Sequence, residues 1–344
     1  MKAVVKTQPG KGQLELKDWS EPFPGPDEVK LKIAAAGICG TDIHLIKGEW
    51  PCKPPVVLGH EFCGTVIEVG ARVENLRPGD RIVASNPAHI CGRCFHCRAG
   101  NPFMCSNRVS AGYMIDGAFA EYLCIRSEAC HALPHTVSFR QAALGEPLAV
   151  AVRAVIERSL VHAGDWVLIS GPGCVGLLAM QIAKLEGAKV ILSEIEKDRL
   201  RLACGRDLGA EAVVDATTDD LVDVVDRYTH GRKVDLAYEC SGSVDSLNVC
   251  WNAVRKEGTV VQVGIYPGAI QTDLNHLSKK ELTLVGTYGY IWTSWDRSIR
   301  LLEQGEVETE KLISHEYPLS QFEEAFRMAQ DGSAIKVIFN AERE

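Results

Sequence analysis

Apolar and polar positions follow two different rhythms along the 344 residues of this chain. Up to about residue 145 the apolar positions fall in short alternating runs, among them Glu28-Val29-Lys30-Leu31-Lys32-Ile33, Gly64-Thr65-Val66-Ile67-Glu68-Val69 and Asp80-Arg81-Ile82-Val83, punctuated by glycine and proline. A period of two residues is that of strands with one face in a core, so this part predicts a mostly β domain with long loops. Beyond it, the continuous apolar runs Trp166-Val167-Leu168-Ile169-Ser170, Lys189-Val190-Ile191-Leu192, Val234-Asp235-Leu236-Ala237-Tyr238 and Gly258-Thr259-Val260-Val261-Gln262-Val263 alternate with helical segments. That alternation predicts a parallel, doubly wound sheet. The tail from about residue 287 carries helical stretches near Trp295 to Gln304 and Leu319 to Gln330, then the apolar strand Lys336-Val337-Ile338-Phe339. A single closing strand needs a sheet to join, and the first domain is the natural host.

A chain of this length exceeds the size of most single cores, which also points to two domains. The net charge is -8 and no basic block is present, so neither a nucleic-acid partner nor a membrane surface is expected. Thirteen cysteines would mean disulfides in a small secreted chain, but Met1-Lys2-Ala3-Val4-Val5 is no apolar leader and no stretch reaches transmembrane length. A reducing cytoplasm is the expectation. Cys63, Cys124, Cys174, Cys204, Cys240 and Cys250 sit among small or apolar residues and read as packing, whereas Cys52 and Cys130 have no evident role.

Five cysteines remain. Cys91, Cys94, Cys97 and Cys105 are spaced so that four thiolates can close a tetrahedron around one zinc ion with no open position, with Gly92 and Gly100 letting the chain wrap. A redox disulfide pair or iron-sulfur ligation is the alternative. Cys39, followed some twenty residues later by His60 and Glu61, forms a mixed sulfur, nitrogen and oxygen set suited to a zinc ion with an exchangeable position. The hydroxyl of Thr41 and the imidazole of His44 lie beside it in sequence, which favours a catalytic over a purely structural metal.

After the run ending at Ser170 comes Gly171-Pro172-Gly173-Cys174-Val175-Gly176 and then a segment of helical periodicity. Gly171 makes the tight turn, Gly173 lets the backbone approach a pyrophosphate, Gly176 allows close helix-on-strand packing, and the helix start at Cys174 and Val175 offers the positive dipole end. Glu194, about twenty residues on, is placed to accept hydrogen bonds from the adenosine ribose and to repel a 2′-phosphate, so NAD is expected over NADP. Lys197 and Arg199 are near enough to soften that preference.

Taken together, Gly37-Ile38-Cys39-Gly40-Thr41-Asp42-Ile43-His44, Gly59-His60-Glu61, the four-cysteine lobe, Glu146-Pro147-Leu148-Ala149-Val150 and the glycine fingerprint resemble the zinc-dependent medium-chain alcohol dehydrogenase family, in particular its polyol (sorbitol-like) and threonine dehydrogenase branches. The resemblance runs nearly end to end. It implies an α/β protein with a GroES-like, β-rich catalytic domain formed by residues 1–147 and 287–344, and a Rossmann NAD-binding domain inserted at 148–286. It implies two zinc ions per subunit, one catalytic and one structural, with Glu146 at the catalytic ion directly or through a water, and Thr41 and His44 as a proton relay. Glu61 or Glu146 remains open as the direct carboxylate ligand. The resemblance further implies a homodimer or homotetramer, with the strand at 283 to 287 available for sheet-edge pairing.

The implied activity is oxidation of a secondary alcohol of a polyol, sugar or sugar acid to the ketone. The alternatives are oxidation of an amino alcohol, as in the threonine branch, and a dinucleotide-binding sensor that has lost turnover. The stretch Gly286-Thr287-Tyr288-Gly289-Tyr290-Ile291-Trp292 is similar to a substrate loop of polyol dehydrogenases, with Gly289 standing where sorbitol dehydrogenases have an arginine. Tyr288, Tyr290, Trp292 and Trp295 either stack on substrate or pack a core or interface, and Trp50 is a further candidate pocket wall.

Overall fold

The computed structural model describes residues 1–194 and 199–341. Two compact units result, one formed by Met1–Glu146, Ile291–Gly305 and Ile313–Glu344, the other by Pro147–Tyr290 and Glu306–Leu312. These limits differ from the expected breaks at 147/148 and 286/287: residues 287–290 and 306–312 belong with the second unit. The reason for the later segment is specific. The Glu308 backbone N–H donates to Gln181 Oε1 at 2.8 Å, and the Cys204 thiol reaches the Lys311 carbonyl at 3.8 Å.

In the first unit the strands are β1 (Lys2–Lys6), β2 (Leu14–Asp18), β3 (Glu28–Gly37), β4 (Val56–Val57), β5 (Glu61–Val69), β6 (Arg81–Ala84), β7 (Pro87–His89), β8 (Val109–Ser110), β9 (Tyr122–Arg126) and β10 (Cys130–Ala132). The long strand β3 organises the unit, pairing antiparallel with both β5 and β9. It is more deeply buried than simple alternation predicts. Lys30, nominally on the polar face, is covered because its ammonium pairs with Glu21 at 2.5 Å and lies over the rings of Phe23 and Tyr122, a desolvated cation kept by a carboxylate and two aromatic faces.

The second unit contributes β11 (Trp166–Ser170), β12 (Lys189–Glu194), β13 (Ala212–Asp215), β14 (Val234–Glu239), β15 (Val254–Gln262) and β16 (Thr283–Gly286). Their order is β13-β12-β11-β14-β15-β16 and every pair is parallel. The chain builds outward from β11 on one side, then returns to build outward from β14 on the other, which puts the switch point of a Rossmann sheet between β11 and β14.

The chain then re-enters the first unit with β17 (Ile313–Tyr317) and β18 (Lys336–Asn340). The closing strand finds its sheet between β17, to which it is parallel, and β3, to which it is antiparallel. Each unit has its own core: Leu31, Phe62, Ile82, Phe119 and Phe339 in the first, Leu168, Ile191, Val225, Trp251 and Val260 in the second. Among the described residues no helix is long and apolar enough to cross a membrane.

Candidate metal centres and dinucleotide site

Cys39 ends the extended chain after β3 and serves as N-cap of the helix Gly40–Lys47, with φ -97° and ψ 159°. Its backbone N–H donates to Asp42 Oδ2 at 2.9 Å, which fixes the turn. His60 and Glu61 lie at the start of β5, and the register that sets Glu61 opposite Gly37 carries them to Cys39. Ligand atoms of Cys39, His60 and Glu61 all fall within 4.8 Å of one another. Gly59 must be glycine here: its φ is +93°, and a Cβ would meet the Phe119 ring at 2.5 Å.

The chemistry around this cluster fits a divalent cation. His60 and Glu61 are buried, and Asp42 is fully so. His60 Nδ1 stands 3.5 Å from Asp42 Oδ1, too long for a good hydrogen bond, and both atoms are buried without a hydrogen-bond partner. Burial pushes the Cys39 thiol up, the Glu61 carboxylate adds to this, and His60 opposes it. Burial disfavours charge on His60, yet Asp42 and Cys39 outweigh it and raise its pKa well above the ordinary value. Two carboxylates and a thiol crowding one imidazole call for a positive centre, and an Asp-His pair behind a ligand is the usual support of a metal-bound imidazole. Lys336 of β18 supplies part of that charge, ion-paired with Glu61 Oε2 and donating to the Ile38 carbonyl at 2.9 Å.

Glu146 is buried in the first turn of the helix Gly145–Val152, and it is not part of the Cys39, His60, Glu61 group. Thr41 and His44 lie three residues apart on the helix begun by Cys39. His44 Nδ1 is 2.7 Å from Glu49 Oε2. Glu49, Asp42 and Lys336 were not singled out from sequence; the acidic residue three positions after Cys39 was a readable capping signal, whereas Lys336 gave none.

The sulfurs of Cys91, Cys94, Cys97 and Cys105 also converge within 4.8 Å, and none is in a disulfide. Cys91 and Cys105 sulfurs are 3.6 Å apart, far beyond a disulfide bond and close to the roughly 3.8 Å edge of a tetrahedron with Zn–S bonds of about 2.3 Å. Backbone N–H groups point at the sulfurs: Cys94 to Cys91 and Cys91 to Cys105, each at 3.4 Å. Such hydrogen bonds, from Arg93 and Cys94, bring the Cys91 thiol down to about 6, whereas burial pushes Cys97 up to about 12. Gly92 and Gly100 both have positive φ, as the wrapping of the loop requires.

In the second unit β11 leads through Gly171 (φ +98°) to Gly173, the N-cap of the helix Cys174–Leu185. A Cβ on Gly176 would lie 2.1 Å from the Gly171 carbonyl oxygen, so this glycine is required for helix-on-strand packing, while space beside Gly173 is open. Cys174 and Val175 present the first N–H groups of the helix, the arrangement that binds a pyrophosphate. Glu194 ends β12 almost fully buried, with Arg201 Nη1 at 4.0 Å. Arg199 opens the helix Arg199–Asp207 at the surface, and Lys197 lies outside the described residues.

The aromatic set is divided by the structure. Tyr288 and Tyr290 belong to the second unit, Trp292 and Trp295 to the first. Tyr290 is buried at 3% exposure. Trp295 is buried too and stacks on His131 at 4.8 Å, with Trp292 against the same imidazole at 4.4 Å. For Trp295 the packing alternative holds, while Trp292 stays 56% exposed. Trp50 packs half-buried on the first core. Cys130, without a role in sequence, is core, its thiol 3.7 Å from the Arg126 carbonyl.

Known proteins match both units. Residues 25–135 fit the alcohol dehydrogenase GroES-like domain and residues 174–304 the zinc-binding dehydrogenase family. A sorbitol dehydrogenase of Halalkalibacterium halodurans is 37% identical over 98% of both chains. An L-threonine 3-dehydrogenase of Pyrococcus horikoshii is 38% identical, again over 98% of each. Among solved structures, a chain from Sinorhizobium meliloti 1021 assigned as a zinc-binding dehydrogenase and bound to NADP superposes with a TM-score of 0.91 at 33% identity, covering 98% of each chain.

Proposed function

The chain belongs to the zinc-binding, GroES-like alcohol dehydrogenase family, and from that premise we propose that it oxidises a secondary alcohol of a polyol, sugar or sugar acid to the ketone with NAD as acceptor. The observation that carries this reading is the convergence of Cys39, His60 and Glu61, in a chain that also has a glycine turn leading into a helix at Gly173. Cys39 and His60, with Glu61 or Glu146 as the carboxylate, would hold the catalytic zinc, and Cys91, Cys94, Cys97 and Cys105 the structural one. A zinc ion held at the first centre would supply Lewis-acid chemistry, lowering the pKa of a bound alcohol as it does that of water, from about 15.7 to about 7, and NAD bound at the glycine turn would supply the hydride acceptor.

The protein's own groups handle the proton. Thr41 Oγ1 takes it from the substrate hydroxyl while giving up its own proton towards His44, which passes it to solvent. With Nδ1 donating to Glu49 Oε2 at 2.7 Å, the His44 ring leaves Nε2 as the acceptor, and the carboxylate steadies the imidazolium that forms. Asp42 holds Cys39 through its backbone N–H and backs His60. Glu194 at the end of β12 favours the free ribose hydroxyls of NAD over the 2′-phosphate of NADP, with Arg199 and Arg201 as the cations that moderate that preference. Trp50, Tyr288 and Trp292 are the aromatic groups proposed to meet the substrate.

Oxidation of an amino alcohol is the second reading, favoured by the 38% identity to a threonine dehydrogenase. The protein is proposed to act in the cytoplasm as a homodimer or homotetramer, β16 being an edge strand of the parallel sheet. The test is NAD reduction, followed at 340 nm, with polyols, sugar acids, diols and L-threonine. Turnover of a polyol or sugar acid with about two zinc ions per chain supports the reading. Turnover of threonine alone, or of nothing, overturns it.

A further inference from the structure

Glu239, the last residue of β14, is fully buried, and among the described residues its carboxylate is held by neutral donors. Oε1 accepts from the Ser241 N–H at 2.8 Å, the Ser241 hydroxyl at 2.7 Å and the Gly242 N–H at 2.9 Å. Oε2 accepts from Gln262 Nε2 at 2.6 Å and, more weakly, from Gly242 at 3.2 Å. The Glu239 backbone carbonyl takes the N–H groups of Val263 and Gly264, both at 2.9 Å. One residue therefore ties the loop after β14 to the loop after β15. The tie continues through Gln262, whose amide also donates to the Gly264 carbonyl at 2.8 Å and accepts from the Tyr266 hydroxyl at 3.0 Å.

These loops abut the glycine turn. The Cys240 N–H donates to the Ser170 carbonyl at 2.8 Å, and a Cβ on Gly171 would lie 2.8 Å from the Ser241 nitrogen. A Cβ on Gly264 would in turn meet the Gly242 nitrogen at 2.2 Å. The contacts form a continuous floor from β11 across β14 to β15 at their carboxyl ends, on the β14 side of the switch point. Ligands of open α/β sheets bind outside those ends. With the pyrophosphate at Gly171 to Val175 and the adenosine toward Glu194 on β12, the strand order leaves β14 and β15 beneath the other half of a dinucleotide.

Burying a carboxylate among neutral donors is costly, and closing a sheet end needs no charge. The donors do need an acceptor at both oxygens, which only a carboxylate offers. We infer that Glu239 is a positioning residue for the nicotinamide half of the dinucleotide, acting through the 241–242 and 262–264 loops and not by contact. The inference rests on the dinucleotide reading above.

The test is Glu239→Gln in the full chain. Its amide NH₂ would face Gln262 Nε2 or the backbone N–H groups, and turning Gln262 over would set its oxygen against the Gly264 carbonyl. NADH binding, read by fluorescence titration, should weaken about tenfold or more, while binding of ADP, which lacks the nicotinamide half, should stay within about twofold. Unchanged NADH affinity, or equal weakening for NADH and ADP, overturns the inference, the second result showing that Glu239 merely holds the unit together. If Glu239→Gln does not fold, Gln262→Met removes one donor from the same carboxylate and is read by the same NADH-to-ADP comparison. Failure of the unaltered protein to bind NADH would sink the dinucleotide reading itself, whereas the variant results bear on Glu239 alone.

Discussion

Lys336, on the closing strand β18, is ion-paired with Glu61 on β5, and both side chains are almost fully buried. Gly37 is what makes room for the pair, since a Cβ there would lie 2.8 Å from the Lys336 side chain and closer still to Glu61. Removing one partner of a buried pair typically costs about 3–5 kcal/mol. Lys336→Met is therefore expected to lower stability by about 3 kcal/mol in metal-free protein, and by less with zinc bound, because the ion supplies the missing positive charge. Urea unfolding with and without chelator measures both, and an equal loss in the two conditions would show that the lysine and the metal do not share Glu61.

The two cysteine sets should fail differently. Cys39→Ser is expected to leave a folded protein that has lost at least about 100-fold in kcat, more than an outer-shell change typically costs. Cys97→Ser should release one metal ion per chain and chiefly lower the melting temperature, since ligation in a closed site is folding energy. Metal analysis combined with thermal melts separates the cases, and matching losses of stability in both variants would contradict separate roles.

Asp42 holds Cys39 by its backbone and faces His60 across 3.5 Å. Asp42→Ala should weaken zinc binding at that centre about 10–100-fold, seen as faster metal loss to a competing chelator. The four-cysteine centre should retain its ion, which serves as the internal control.

Replacing Glu194 with serine removes the carboxylate proposed to disfavour a 2′-phosphate while leaving Arg201 in place. The ratio of kcat/KM for NADP to that for NAD should rise at least about tenfold, equivalent to about 1.4 kcal/mol. An unchanged ratio would show that Glu194 does not discriminate between the two cofactors.

His131 is buried between Trp292 and Trp295, with Nε2 3.1 Å from the Ser85 hydroxyl. Burial lowers its pKa from 6.5 to about 3. The unfolded chain therefore binds this proton at a higher pH than the folded one does, so the stability contribution is complete above pH 6.5 and is lost as the pH falls from there toward 3. By pH 5 the loss is about 2 kcal/mol. His131→Phe should flatten the dependence of the melting temperature on pH between 5 and 7, and an unaltered slope would assign that dependence to other groups.

Much of this protein follows from its linear order because the features concerned are local. Alternation every two residues and continuous apolar runs mark the two kinds of strand, since each reports how many faces are buried. Ligands with two residues between them in the cysteine lobe, and glycines at a strand-turn-helix junction, encode geometry within a single turn of chain. Cys39, His60 and Glu61 are legible for a related reason, as they flank two paired strands.

Other features arise only when distant segments meet in a sheet. Lys336 reads as the first residue of an apolar strand, and it becomes a partner of Glu61 because β18 inserts between β3 and β17. Glu239 ends an apolar strand and would pass for a surface residue, until the loops after β14 and β15 bring donors over both its oxygens. The aromatic cluster of residues 288–295 is continuous in sequence but split between two units. Sequence thus determined which residues can gather into two sets of metal-ligand type and the local geometry of the glycine turn, while the partners of buried charges were decided by strand order and register, because a charge can be buried only where other elements of the fold satisfy it.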